Sequence, residues 1–322
     1  MTRTLTALLL TSAIIPAAAF ADPVTDASIV DADKKARGSF SVHTDHLFNL
    51  MTKPTHLKGF SVYAPSITTS RAMNKDLGDT KYTDFGLGYD LDIGSVTGFM
   101  SYGNPDSTSN GIEFTDDVFA VGLAFSDQQR FGPSFSAGLG YTKGDVEITR
   151  DDANGAEPGA GTTNLTAFAG TAEIAYGFEA ARHASLQPFF RLESALLARD
   201  GYTENAGATD LVAYDNSYSF DTRIVLGTRA ELPVLQGSSL TVDAGMTKEV
   251  LRKADDISGS YAGADYSMDQ SEADSDLQLH AKFGLVHKFR FGGELNGSLG
   301  FQQSPFSDEI TTKVGAGYAH RF

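Results

Sequence analysis

Cysteine and tryptophan are both absent from this 322-residue chain. Without thiols there is no disulfide framework, no thiolate metal site and no thiol nucleophile. Basic residues are also scarce. Lys and Arg total 25 against 41 Asp and Glu, for a formal net charge of -16. That balance argues against nucleic acid as a partner, because its phosphates would be repelled, and no nucleic acid is expected. Long hydrophobic runs are missing too. Beyond the first 21 residues nothing approaches the roughly 18 consecutive apolar residues that a spanning helix needs. No G-x-S-x-G occurs, so the strained turn that would expose a nucleophilic serine is not encoded.

What the chain does contain is glycine, 33 residues, and Tyr plus Phe, 12 and 22. Glycine-rich, aromatic-rich sequence suits repeated strands and tight turns. The first residues, MTRTLTALLLTSAIIPAAAFA, combine basic Arg3, an apolar stretch and an Ala-Phe-Ala end. They read as a secretory signal peptide over residues 1–21. An exported chain with no helical span can enter a bilayer only as a closed sheet, because lipid leaves no partner for an open edge.

From residue 56 to the end, strand-like runs recur. Twelve are expected: 56–65, 80–90, 95–103, 114–126, 132–142, 163–178, 184–198, 214–232, 239–249, 276–289, 293–302 and 309–322. Period-two alternation carries them. Phe135, Ala137, Leu139 and Tyr141 oppose Ser134, Ser136, Gly138 and Gly140. Leu279, Ala281, Phe283 and Leu285 oppose Gln278, His280 and Lys282. Val314, Tyr318 and Phe322 share the apolar face of the terminal run. Connections alternate short (DLDIG, RFGG) with long (KGDVEITRDDANGAEPGAGT), as in outer-membrane barrels with short periplasmic turns and long outer loops. An even strand number puts both chain ends on the periplasmic side. The expected fold is all-β: a 12-stranded antiparallel transmembrane β-barrel, with room for a short N-terminal helix in its lumen. A soluble sandwich with the apolar face turned inward is the competing reading.

The stretch LQPFFRLESALLARDGYTENAGATDLVAYDNSYSFDTRIVLGTRAELP resembles the autotransporter β-domain, or translocator, family. The positions that carry the resemblance are Leu186, Pro188, Phe189, Tyr202, Glu204, Gly227 and Arg229, with weaker agreement in SGSYAGADYSM and GAGYAHRF. The resemblance spans roughly residues 80–322. It implies an outer-membrane barrel and a C-terminal assembly signal, here Val314, Tyr318 and Phe322, read by the barrel assembly machinery. It also implies a helix threading the pore from the periplasmic side. The family carries an exported passenger. Here residues 22–55, only 34 positions, lie between the expected cleavage point and the barrel at 56–322. That is too little for an independent domain without staples or metal. ARGSFSVHTDHLFNLMTK could form a short helix capped near Thr44, acting as a pore plug or lying in a periplasmic tail.

Several constellations could carry chemistry. His43, Asp45 and His46 with nearby His56 have zinc-compatible side chains, but the spacing is common by chance and a polar plug or solvated linker is the preferred reading. Asp255, Asp256, Asp265, Asp269, Glu272 and Asp274 crowd one outer loop, which reads as a solvated acidic surface. Arg191 with Glu193, Asp221 with Arg223, and Arg229 with Glu231 sit two apart and share a face. With His280 and Lys282 they are expected to face the lumen, as filling or as a selectivity ladder. His280 is the best candidate base, with Asp221 or Glu231 as conceivable partners. The expected role is a pore, plugged channel or surface structural protein of autotransporter type. It is not expected to be an enzyme and needs no cofactor or metal. Its partners would be outer-membrane lipid, lipopolysaccharide and the assembly machinery, and a monomer is expected. The alternatives are a translocator for a very short or separate cargo, and an outer-membrane hydrolase.

Overall fold

The computed structural model describes residues 26–52, 60–72, 79–106, 112–127, 129–150, 159–181, 184–205, 211–261, 263–269, 277–303 and 310–322. The expected signal peptide therefore lies outside the described residues. Among the described residues one helix, α1 (Asp26–Met51), precedes seventeen strands. These are β1 (Ser61–Ala72), β2 (Asp79–Leu91), β3 (Gly94–Asp106), β4 (Ile112–Phe114), β5 (Val118–Asp127) and β6 (Gly132–Arg150). Then come β7 (Gly159–Ala181), β8 (Ala184–Arg199), β9 (Tyr202–Thr203), β10 (Val212–Tyr214), β11 (Ser217–Leu235) and β12 (Ser238–Ala254). The last are β13 (Ile257–Tyr261), β14 (Ala264–Met268), β15 (Leu277–Lys288), β16 (Gly293–Gln303) and β17 (Ile310–Arg321).

One sheet holds thirteen strands, in the order β4-β6-β5-β3-β2-β1-β17-β16-β15-β12-β11-β8-β7, and β7 pairs back onto β6. The three-residue β4 lies beside the outer end of β6. The other twelve strands form a closed antiparallel ring. Closure occurs where β1 meets β17, from Ser61 opposite Arg321 to Ala72 opposite Thr311. Just beyond it the Phe322 amide donates to the Phe60 carbonyl at 3.0 Å. No edge is left for water to satisfy, which is the condition for a sheet in lipid.

The apolar face points outward. Leu123, Leu139, Phe168, Leu279 and Val314 are exposed on the outer surface, Leu139 by 72%. A soluble sandwich would bury these side chains between its sheets, so that reading is excluded. No helix among the described residues is long and apolar enough to cross a membrane.

Three sequence expectations need correction. The first strand begins at Ser61 and runs to Ala72, farther along the chain than 56–65. The long connections are shorter than they read, because strands continue past the apolar belt. β6 carries KGDVEITR on to Arg150, and β7 starts at Gly159. Polar residues pair as strands there, where water replaces hydrocarbon. Finally, the helix is 26 residues long, and Thr44 is no cap. It sits mid-helix, and its hydroxyl donates to the Phe40 carbonyl at 3.3 Å.

Candidate functional site in the barrel lumen

Helix α1 touches the wall on every side. It packs on β5, β6 and β7. His43 Nδ1 lies 2.9 Å from the Tyr82 hydroxyl of β2, and Gln302 of β16 donates to Asp45 at 2.7 Å. Arg223 of β11 donates to the same carboxylate at 2.7 Å. A helix that meets β2, β6, β11 and β16 lies inside the ring. Its Phe40, Leu47 and Met51 are almost completely buried, each worth about 1.5–3 kcal/mol.

Glycine makes this packing possible. A Cβ at Gly138 would stand 2.7 Å from Met51 Cβ, and one at Gly140 would stand 2.6 Å from Leu47 Cδ1. Ala120, Ala124 and Ala169 complete the seat around Leu47, Phe48 and Met51. The small residues that oppose Leu139 and Tyr141 are thus the face on which the helix lies. Higher up, Ala32, Ala36 and Phe40 join Ile112, Val146, Ile148 and Leu165.

The opposite wall is charged. Glu173 accepts two bonds from Arg229, both at 2.6 Å, and lies 3.5 Å from Arg191. Arg191 stands 2.9 Å from Glu193, which stands 3.2 Å from Arg223. Arg229 also donates to Asp243 at 3.1 Å. One chain of charges thus runs from Asp243 through Arg229, Glu173, Arg191, Glu193 and Arg223 to Asp45 of the helix. Asp221 faces Arg252 at 3.7 Å, and Lys313 donates to Gln302 at 3.1 Å. Glu231 accepts from Ser239 at 2.8 Å and lies 3.8 Å from Arg130, while Lys282 is opposite Asp243 in register.

The pairs read from residues two apart are mostly replaced. Arg191 does meet Glu193, but Arg223 turns to Asp45 and Arg229 to Glu173, because cross-strand and helix carboxylates lie closer. His280 approaches Asp243 at 3.4 Å and neither Asp221 nor Glu231. The zinc constellation disperses. His43 goes to Tyr82, Asp45 to Arg223 and Gln302, and His46 to Asp84 at 2.8 Å. His56 lies outside the described residues, as do Glu272 and Asp274 of the acidic loop. No metal-binding group of three ligands forms among the described residues.

Sequence reasoning missed the closure above the lumen. β9, β10, β13 and β14 form a separate four-stranded sheet outside the barrel. Its Val212, Tyr214 and Ile257 enclose Ile29, in the first turn of α1. Arg150 grips Glu204 through two bonds of 2.8 and 2.9 Å, with both side chains buried. Asp33 of the helix accepts from Arg37 at 2.7 Å and lies 3.4 Å from Arg199. Arg199 in turn lies over the rings of Tyr202 and Tyr214, which stack at 4.5 Å. Burial pushes the phenols of Tyr202, Tyr214 and Tyr266 well above their usual pKa, so they stay protonated donors.

Toward the other end of the barrel, β17 presents Val314 on its outer face and Phe322 follows just past the strand, exposed by 54% and 76%, with Tyr318 between them. Tyr318 bonds His320 Nδ1 at 3.2 Å.

The comparisons with known proteins agree with this geometry. The autotransporter β-domain family model matches residues 61–302. The translocator domain of the autotransporter NalP from Neisseria meningitidis is similar in structure, with a TM-score of 0.68 and 15% identity. That match covers 92% of this chain and all of the other. The β-domain of the Bordetella autotransporter BrkA gives 0.54 and 16%, covering 82% of this chain and all of the other. The search of curated proteins returned no match. With the family model spanning most of the chain and a twelve-stranded ring closed around a helix, this protein belongs to the autotransporter β-domain family and is a translocator barrel of the outer membrane.

Proposed function

We propose that the barrel is held shut by its own helix, with the start of α1 at the outer mouth and both chain ends of the barrel on the periplasmic side. The carrying observation is the span of one helix. Ile29 is enclosed by the outer sheet, and Met51 rests on Gly138, six residues above the β5–β6 turn side of β6. A helix threaded this way starts at the outer mouth with Asp26, which is the arrangement a translocator leaves after carrying a segment outward. The short turns and the Phe60–Phe322 closure mark the periplasmic end. In this reading Arg191, Glu193, Asp221, Arg223, Arg229, Glu231, His280 and Lys282 fill the lumen rather than select solutes. Their charges are spent on one another and on the helix. Val314, Tyr318 and Phe322 serve as the signal for barrel assembly, and the barrel acts as a monomer surrounded by lipid and lipopolysaccharide.

Conductance in planar bilayers tests the plug. The native chain is expected to show little or no current. Asp33→Ala with Asp45→Ala, which removes both helix carboxylates that face wall arginines, is expected to give frequent openings. Large steady currents from the native chain would contradict the proposal. A surface-accessible tag inserted before Asp26 tests the threading, and a tag protected in intact cells would argue against it.

A further inference from the structure

Helix α1 meets a third part of the wall, and there the contacts are titratable. β2 and β3 present Tyr82, Asp84 and Ser101 to it, all buried. His43 and His46 are buried too, and their i, i+3 spacing puts them on one face of the helix. His46 Nε2 lies 2.8 Å from Asp84 Oδ1 and 3.2 Å from Ser101 Oγ. The Ser101 hydroxyl donates to the same carboxylate oxygen at 2.7 Å. The His46 ring stacks on Tyr82 with centroids 3.8 Å apart. Gly103, opposite Tyr82 in register, leaves room for that phenol, since a Cβ there would stand 3.0 Å from its ring.

The two imidazoles are not equivalent. A proton on His46 turns its bond to Asp84 into an ion pair, which the site accepts. His43 forms no ion pair among the described residues. Its Nδ1 lies 2.9 Å from the Tyr82 hydroxyl, and the rest of its surroundings are rings. Phe114 of β4 stands at 4.8 Å, Tyr82 at 5.7 Å and Phe40 at 5.8 Å. The charged groups that act on it are His46 of its own helix and Lys313 of β17, both cationic when protonated. Asp45, also on the helix, is held by Arg223 and Gln302. A charged His43 would be a buried cation near two others with no carboxylate in contact, a costly state.

We propose that this patch is a proton-sensitive latch: a proton taken up by His43 unseats α1 from β2 and β3, so the plug loosens as the surroundings turn acid. The proposal rests on the plug reading above. An imidazole in water takes its proton near about pH 6.5. Below that pH the unseated helix carries a proton on His43 that the seated helix lacks. Opening is then coupled to proton uptake, and acid favours it by mass action. The seat is complete above about pH 6.5 and is lost progressively as the pH falls below it. His46 does not add to this effect, because Asp84 lets it carry its proton in the seated state as well.

Hydrogen exchange of the full chain in detergent tests it, with each amide rate divided by its intrinsic rate at the same pH. The strand amides serve as the internal reference for an intact barrel. Between about pH 6 and 5 the protection of native α1 is expected to fall by roughly tenfold, the effect of one proton. His43→Asn keeps an acceptor for the Tyr82 hydroxyl but cannot be charged. Its α1 protection is expected to hold level over that interval, whatever its value at the start. Asp84→Asn deprives His46 of its counter-charge, so opening takes up two protons and the fall is expected to steepen toward roughly a hundredfold. Constant protection of native α1 across the interval, or an equal fall in His43→Asn, would overturn the latch and leave the plug standing. An α1 without protection even at neutral pH would sink the plug itself, and the latch with it.

Discussion

The two sides of the lumen solve the same problem with different chemistry. Toward β5, β6 and β7 the wall is small and dry: Gly138, Gly140, Ala120, Ala124 and Ala169 let Leu47, Phe48 and Met51 come close. Toward β8, β11 and β12 the wall is long and charged, and arginines reach Asp45 of the helix and Glu193 of the wall. The dry side sets where the helix lies. The charged side fills the remaining width with arginines paired to wall carboxylates, and Arg223 and Arg199 also reach Asp45 and Asp33 of the helix. Neither side would suffice. Glycines alone would leave water-filled space, and without the helix Arg223 would lose Asp45 and keep Glu193, a costly change for a buried charge.

Three substitutions sharpen this contrast, in decreasing order of effect. Asp45→Leu removes the helix carboxylate that Arg223 and Gln302 share. About 3 kcal/mol should be lost, because a buried arginine keeps only Glu193. Hydrogen exchange across Asp26–Met51 should accelerate strongly, while the strand amides should stay protected. Gly140→Ala tests the dry side, where the new methyl meets Leu47. Overpacking should cost about 2 kcal/mol, visible as a lower temperature for loss of compact gel mobility. Pairing it with Leu47→Ala should recover part of the loss. Arg130→Gln is the weakest. Its partner Glu231 is 3.8 Å away and both side chains are partly exposed, so the change should stay below about 1 kcal/mol in the same assay. If Arg130→Gln equalled Asp45→Leu, the distinction between helix-linked and merely luminal charges would fail.

The barrel wall was legible in the sequence because lipid enforces it. Every residue of β17 from Ile310 to Arg321 must face either hydrocarbon or interior, and alternation records the choice. The helix was only half legible. Ile29, Ala32, Asp33, Ala36, Arg37 and Phe40 are all buried, so apolar and charged positions do not sort into separate stripes. A helix surrounded by both a dry wall and a charged wall loses the single-faced signature from which helices are read. The outer sheet was missed for a different reason. β9 has two residues and β13 five, too short for a period to register, and the pairing of β10 with β13 reaches across β11 and β12. Glu204 belongs to the family resemblance, but nothing in the sequence ties it to Arg150.

The absence of cysteine gives the central claim a clean test. Met51→Cys with Gly138→Cys introduces the only two thiols in the chain. The Gly138 Cβ position lies 2.7 Å from Met51 Cβ, shorter than the roughly 3.8 Å usual in a disulfide, so a small outward shift suffices. Mild oxidation of the double variant in membranes should join helix and wall within one molecule, giving a reducible change in mobility of the unfolded protein. Thiols that stay fully reactive to a maleimide after oxidation would mean that the helix is not seated on β6, and the plugged barrel would be wrong.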